Sequence, residues 1–226
     1  MFGFLLSAIL STVFFLIVQL KKGGAVGAVA KSVASLCFVA LGACMLDGGP
    51  SRAGLFLLYG LVLGLVGDIL LGVNIPDAGA CDWYLFGGIG TFALEHIAVV
   101  AAVILASGFS LSRLLIACAV GAVMAGALSV TEWKILRFDF GSALVPAMGY
   151  AFILASAFVY YLLTAFASPA YAIIAVGMAL FLLSDVVLSF MLFGKKDTPL
   201  MSAVNLTTYY AGQILFALSI GSALIA

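Results

Sequence analysis

Long apolar runs alternate with short polar breaks along the chain, and the breaks hold most of the charged residues. Each run is close to the ~20 residues that an α-helix needs to cross the hydrocarbon core of a bilayer. No polar stretch is long enough for a second domain, so we expect residues 1–226 to form a single integral membrane domain. The pattern predicts an all-α polytopic bundle of eight transmembrane helices, at residues 2–20, 25–46, 53–73, 83–106, 111–130, 143–165, 170–193 and 205–225.

The composition agrees with a membrane location. Only 8% of the residues are charged and 66% are hydrophobic, whereas a soluble domain carries about 25% charged residues. We therefore expect membrane lipids to surround the protein. The formal net charge is zero, which gives no indication of nucleic acid as a partner.

Lysine and arginine are distributed unequally between the two sides of the predicted bundle. The side that carries both termini holds Arg52 and Arg113, while the loops of the opposite side hold six basic residues. These six are Lys21, Lys22, Lys134, Arg137, Lys195 and Lys196. Because basic loops stay in the cytoplasm, we predict a multi-pass protein of the cell (inner) membrane with both termini extracytoplasmic.

Two intramembrane aspartates indicate an internal repeat. A shift of 117 residues brings Asp68, in LVLGLVGDILL, onto Asp185, in ALFLLSDVVLS. The same shift brings His96 onto Gln213, on the helix that follows each aspartate. Four helices per copy would give both copies the same orientation in the membrane, as in a parallel repeat. The predicted halves are residues 1–107 and 108–226.

Nearly all intramembrane polarity falls between the midplane and the predicted cytoplasmic side. A charge at the centre of a bilayer costs roughly 2.5–3.5 kcal/mol, so several of them in one leaflet should face one another or a water-filled cavity. Gly60, Gly64 and Gly72 share a face with Asp68, which predicts close helix contact there. The polar set comprises Lys31, Asp68, Glu95, His96, Tyr150, Asp185, Asn205, Tyr209, Tyr210 and Gln213.

The residue types alone leave several interpretations open. The aspartates and His96 could form structural hydrogen bonds between helices, and Lys31 could be an interfacial residue that extends toward water. Gln213 and the tyrosines could equally join helices. A metal centre built from Asp68, His96, Asp185 and Glu95 is an alternative on ligand type. A proton-coupled transporter of small solutes or lipids and a non-catalytic scaffold are the rival function classes.

Five segments of the chain, in order, resemble the successive signatures of the YhhN family, a multi-pass family whose animal members are lysoplasmalogenases. They are GLVLGLVGDILL, FGGIGTFALEHIAVV, VPAMGYAFIL, GMALFLLSDVVLSFMLF and TTYYAGQILFALS. The resemblance implies hydrolysis of the vinyl ether bond of a lysoplasmalogen, a lysophospholipid of ethanolamine or choline. The products would be a fatty aldehyde and a glycerophospho-alcohol.

The resemblance also implies roles for particular residues. The intramembrane aspartates of the family fall on Asp68 and Asp185, and two carboxylates held close together can divide acid and base work between them. His96 would position or deprotonate the attacking water, and Lys31 would meet the phosphate. Glu95 stands where the family usually has a small residue.

We thus predict a membrane-embedded ether hydrolase that needs no cofactor and no metal. Its predicted catalytic residues are Asp68, Asp185 and His96. Its predicted substrate-binding residues are Lys31, Glu95, Tyr150, Asn205, Tyr209, Tyr210 and Gln213. The predicted active site opens toward the cytoplasmic leaflet.

Overall fold

The computed structural model describes residues 2–21, 24–46, 51–73 and 82–222. Within these ranges the chain forms eight α-helices and no strand, which confirms the predicted all-α bundle. The helices are α1 (Phe2–Lys21), α2 (Gly24–Met45), α3 (Arg52–Val73), α4 (Asp82–Ser107), α5 (Leu111–Val130), α6 (Leu144–Ala167), α7 (Ala172–Leu192) and α8 (Pro199–Ile220). Lys22 and the predicted end of the last helix at residue 225 lie outside the described residues.

Short polar and proline-containing segments separate the helices. At the start of α5, the Ser110 hydroxyl accepts a hydrogen bond from the backbone N–H of Arg113 at 3.3 Å, as an N-cap does. At the start of α8, the Thr198 hydroxyl accepts from the N–H of Met201 at 3.2 Å. Pro199 then occupies the first turn, where its missing N–H costs nothing.

Helix α8 differs from the predicted last segment in position and in character. It begins at Pro199 rather than at residue 205, because Thr198 and Pro199 form the helix start. Seven helices, α1 to α7, are long and apolar enough to cross a membrane, and α8 is the most polar of the eight. Its 22 residues still correspond to about 33 Å of helix, enough to span the hydrocarbon core.

The helices pack mainly as sequential pairs, and α8 lies among several of them. The pairs are α1 with α2, α3 with α4, α5 with α6 and α7 with α8. Helix α8 also contacts α1, α2 and α3, so its polar side chains meet protein rather than lipid. The contact of α2 with α8 has its counterpart in the contact of α6 with α4. That correspondence supports a parallel repeat of two four-helix halves, which stays a prediction.

Glycines allow close approach where the helices cross. A Cβ atom at Gly60 would lie 3.2 Å from the backbone oxygen of Glu95 on α4, and one at Gly64 would lie 2.7 Å from the Glu95 carboxylate. The glycine face predicted for α3 therefore contacts α4 at Gly60 and Gly64, whereas at Gly72 it approaches Ala28 of α2. Helices α5 and α6 approach in the same way, since a Cβ at Gly121 would lie 2.7 Å from the backbone nitrogen of Ser156.

The connection between α5 and α6 folds back over the end of α7. It begins with a π-helical turn at Thr131–Ile135 and ends with a 3₁₀ turn at Gly141–Ala143. The N–H of Asp139 donates to the backbone oxygen of Phe193 at 3.0 Å. At the surface, the ammonium of Lys195 donates to the Asp139 carboxylate at 3.0 Å, and this hydrogen bond lowers the pKa of Asp139.

Candidate active site

A cavity of about 630 Å³ lies inside one half of the bundle. All eight helices contribute to its wall, and each does so with the half that adjoins residues 22–23, 74–81, 131–143 or 193–198. These are the connections that the distribution of basic residues predicts to lie on the cytoplasmic side. The opposite halves of the helices contribute no described residue to the cavity wall, so the cavity has the one-sided character that the sequence predicted for its polar residues.

Asp68 forms the centre of a buried polar cluster on the cavity wall. It is 1% exposed, and its Oδ1 forms an ion pair with the Lys31 ammonium, with 2.8 Å between oxygen and nitrogen. Its Oδ2 accepts from the hydroxyl of Ser35 at 2.5 Å and from that of Tyr209 at 2.8 Å. Three helices thus converge on one carboxylate: α2 through Lys31 and Ser35, α3 through Asp68, and α8 through Tyr209. The cost of burying the carboxylate is offset by one cation and two hydroxyl donors.

Two further residues of α8 extend this cluster away from the cavity. The amide of Gln213, one helical turn beyond Tyr209, donates to the Tyr209 hydroxyl at 3.2 Å. The hydroxyl of Tyr210 lies 3.1 Å from that of Ser35 and donates to the backbone oxygen of Lys31 at 3.2 Å. Neither Gln213 nor Tyr210 lines the cavity. Both therefore support the side chains that hold Asp68, rather than meeting a cavity ligand directly.

Asp185 lines the same cavity but has a different set of partners. Its Oδ2 accepts from the Tyr150 hydroxyl at 2.5 Å, and among the described residues no cation forms an ion pair with it. Asp185 is only partly buried. One carboxylate of the cavity is thus joined to a lysine and two hydroxyls, whereas the other is held by a single tyrosine.

Asn205 lies on the wall of this cavity between α7 and α8. Its amide nitrogen donates to the backbone oxygen of Ser184 at 2.8 Å and lies 2.9 Å from the Ser184 hydroxyl. Ser184 precedes Asp185 in the chain. The contact therefore fixes the segment of α7 that carries the second carboxylate.

Glu95 and His96 are buried in the protein but do not reach the cavity wall. The His96 ring packs edge-on against Phe181, with 4.4 Å between ring centroids. Within the described part of the chain, neither ring nitrogen of His96 and neither carboxylate oxygen of Glu95 has a hydrogen-bonding partner. We therefore assign His96 no step in the reaction proposed below. No group of three potential ligands in the described ranges is arranged to hold a metal ion.

Sequence reasoning missed several residues of the cavity wall, the most important being Glu132. Glu132 lies between the predicted helices at residues 111–130 and 143–165. In the π-helical turn its side chain points inward and is 5% exposed. The hydroxyl of Ser189 donates to its carboxylate. The neighbouring Trp133 is 43% exposed and carries the Lys134 ammonium 3.6 Å above its ring. Glu132 turns inward between exposed neighbours, and only the tertiary structure shows this orientation.

The cavity therefore combines a largely apolar wall with polar side chains that include two aspartates. Aliphatic and aromatic residues make up most of the lining, which suits a hydrocarbon chain. Two aspartates in unlike surroundings face the same space, which is the arrangement that lets one carboxyl group donate a proton while another accepts one.

Comparison with known proteins identifies a family for this chain. No curated protein and no solved structure matches the chain. The model of the YhhN family matches residues 26–220, from the start of α2 to the end of α8. Because this match covers most of the chain and all the cavity-lining residues of helices α3 to α8, the protein belongs to the YhhN family.

Proposed function

We propose that the protein is a membrane-embedded hydrolase that cleaves the vinyl ether bond of lysoplasmalogens. Membership of the YhhN family suggests a lysoplasmalogenase-like function. The observation that carries the proposal is that Asp68 and Asp185 line one cavity with an otherwise largely apolar wall. A lysophospholipid could place its chain along that wall and its ether at the carboxyl groups.

The first step in the proposed reaction is proton transfer to carbon. The Asp185 carboxyl group donates its proton to the outer alkene carbon, which leaves an oxocarbenium ion at the carbon bonded to oxygen. We assign the acid to Asp185 because Lys31 balances a negative charge on Asp68 but forms no ion pair with Asp185. The nearby Asp68 carboxylate stabilises the developing positive charge electrostatically.

The second step adds water and breaks the former ether. Water attacks the oxocarbenium carbon and passes a proton to Asp68, which gives a hemiacetal. The hemiacetal hydroxyl then returns a proton to Asp185, while Asp68 protonates the departing glycerol oxygen as its bond to carbon breaks. The products are one aldehyde and one glycerophospho-alcohol, and both carboxyl groups regain their starting states.

The one-sided cavity also distinguishes this proposal from transport. A transporter needs a path that reaches both sides of the membrane in turn. The lining residues all belong to one half of the bundle, which supports a reaction chamber loaded from one leaflet.

The test compares purified protein on two lipids with the same chain and headgroup, one with a vinyl ether bond and one with a saturated ester bond. We expect fatty aldehyde from the first and no cleavage of the second. Asp68→Asn and Asp185→Asn should each abolish aldehyde release while the protein still unfolds cooperatively. Asp139→Asn, which changes an exposed carboxylate outside the cavity, is the matched control and should keep full activity. Near-normal turnover in both cavity variants would contradict the proposal, and equal cleavage of the ester would indicate a lipase.

A further inference from the structure

The cavity contains a third carboxylate that the proposed reaction does not use. Glu132 is 5% exposed and lines the same wall as Asp68 and Asp185. Its side-chain carboxylate accepts a hydrogen bond from the Ser189 hydroxyl. Burying a charged carboxylate costs free energy unless the charge is paired. A cation that pairs with Glu132 is therefore expected.

Three lysines on this side of the bundle have other partners. Lys134 lies over the ring of Trp133, and Lys195 pairs with Asp139 at 3.0 Å. Lys31, the described lysine of the cavity wall, pairs with Asp68. Among the described residues, no ion pair joins a lysine or arginine to Glu132.

Glu132 lies at the outer end of the cavity, which is the end nearer the C-terminus of α7. Its partner Ser189 lies one helical turn beyond Asp185 on α7, which is about 6 Å nearer the end of that helix. Phe140 and Phe193 line the cavity at the same end and stack with their ring centroids 4.3 Å apart. A carboxylate and aromatic rings that line one cavity are a suitable environment for an organic ammonium group.

We propose that Glu132, with Ser189 and the two phenylalanines, binds the ammonium group of a phosphoethanolamine or phosphocholine headgroup. This inference rests on the proposed function, because it takes the ether bond to lie at the aspartates. The headgroup then extends toward the membrane surface and meets Glu132 one turn further out. Glu132 is accordingly a specificity-determining residue that favours lipids with a cationic headgroup over lipids that end in a bare phosphate.

The experiment measures binding and does not require turnover. The probes are two non-hydrolysable alkyl ether lipids of equal chain length, a lysophosphoethanolamine and a glycerol 3-phosphate that lacks the ammonium group. Glu132→Gln keeps the side-chain shape and an acceptor for Ser189 but removes the charge. We expect it to weaken binding of the ammonium lipid about tenfold, equivalent to ~1.4 kcal/mol, and binding of the phosphate lipid by less than about twofold.

Asp139→Asn is the control, because it removes the same charge from the same connection outside the cavity. It should leave both affinities unchanged. Equal weakening of both lipids in Glu132→Gln, or no change for either, would overturn the headgroup assignment and leave Glu132 as a structural contact between the connection and α7. If Glu132→Gln loses headgroup discrimination but the unchanged protein cleaves no vinyl ether, only the proposed reaction is refuted. If the unchanged protein cleaves the vinyl ether but Glu132→Gln keeps the headgroup discrimination, only this inference is refuted.

Discussion

Asp68 and Asp185, the two aspartates of the cavity wall, have different partners in the folded protein. Asp68 is held by Lys31, Ser35 and Tyr209, while Asp185 is held by Tyr150. Ser35 is absent from the predicted set, because a serine in a helix usually bonds to the preceding turn. It does bond to the Lys31 carbonyl at 3.0 Å, and it also approaches Asp68. The unlike surroundings of the two carboxyl groups are the basis for dividing acid and base between them.

Removing the cation beside Asp68 should destabilise the protein. Lys31→Met leaves a carboxylate that is 1% exposed without its ion-pair partner, and we expect a loss of about 3 kcal/mol in the free energy of unfolding. Thermal and denaturant unfolding in detergent would measure it. Adding Asp68→Asn to Lys31→Met should restore part of the loss, because the uncompensated charge is gone. Strict additivity of the two substitutions would show that the ion pair contributes no coupling.

The Tyr150 hydroxyl should matter for rate more than for binding. It donates to Asp185 at 2.5 Å. Asp185 becomes a carboxylate as it gives its proton to the substrate, and a hydrogen bond to a charged group contributes about 1.5–3 kcal/mol. Tyr150→Phe should therefore lower kcat for the vinyl ether lipid by roughly ten- to a hundredfold and leave KM nearly unchanged. Tyr59→Phe, at a position 57% exposed on α3, is the matched control. A rise in KM at constant kcat would assign Tyr150 to substrate binding instead.

Among the helices, α8 shows why hydropathy alone misjudges a central element. Polar residues such as Asn205, Tyr209 and Gln213 make it less apolar than α1 to α7. The predicted segment begins at residue 205 and therefore omits the first turn of the helix. In the bundle these side chains are buried against α2, α3 and α7 and meet polar partners there. A helix surrounded by protein can be more polar than one that faces lipid, because its neighbours supply the hydrogen bonds that hydrocarbon cannot.

The contact between α5 and α6 depends on one glycine. A Cβ at Gly121 would lie 2.7 Å from both the Cα and the backbone nitrogen of Ser156, whereas one at Gly126 in the same helix would meet nothing within 4 Å. Gly121→Ala should cost about 1–3 kcal/mol through overpacking. Gly126→Ala should be neutral or stabilise by up to about 1 kcal/mol, because alanine favours the helix. Unfolding of both variants in detergent checks the prediction, and equal effects would mean that the helices do not touch at Gly121.

The orientation of the complete bundle stays a prediction from its basic residues. It is testable by labelling single cysteines in a background whose native cysteines are alanine. Lys195→Cys, on the connection between α7 and α8, should react with a membrane-impermeant maleimide in inverted vesicles but not in intact cells. Ser112→Cys, at the exposed start of α5, should show the opposite pattern. Labelling of Lys195→Cys in intact cells would reverse the orientation and place the cavity in the outer leaflet.

The amino-acid sequence by itself determined the helical class, the number of helices and the half of the bundle that holds the polar residues. The physical reason is that backbone groups in hydrocarbon must bond within their own segment, so each apolar run of about 20 residues has one stable form. Lys31, Asp68, Tyr150, Asp185 and Tyr209 lie together in that half of the bundle.

Only the tertiary structure decided which polar residues face the cavity and which are enclosed behind it. Glu95 and His96 lie at the middle of α4 and pack between helices, while Glu132 turns inward from a connection. These outcomes depend on the rotation of each helix and on the path of the connection. Both are set by packing between residues far apart in the chain, such as Phe138 against Phe190 and Phe140 against Phe193, and local hydropathy carries no information about such contacts.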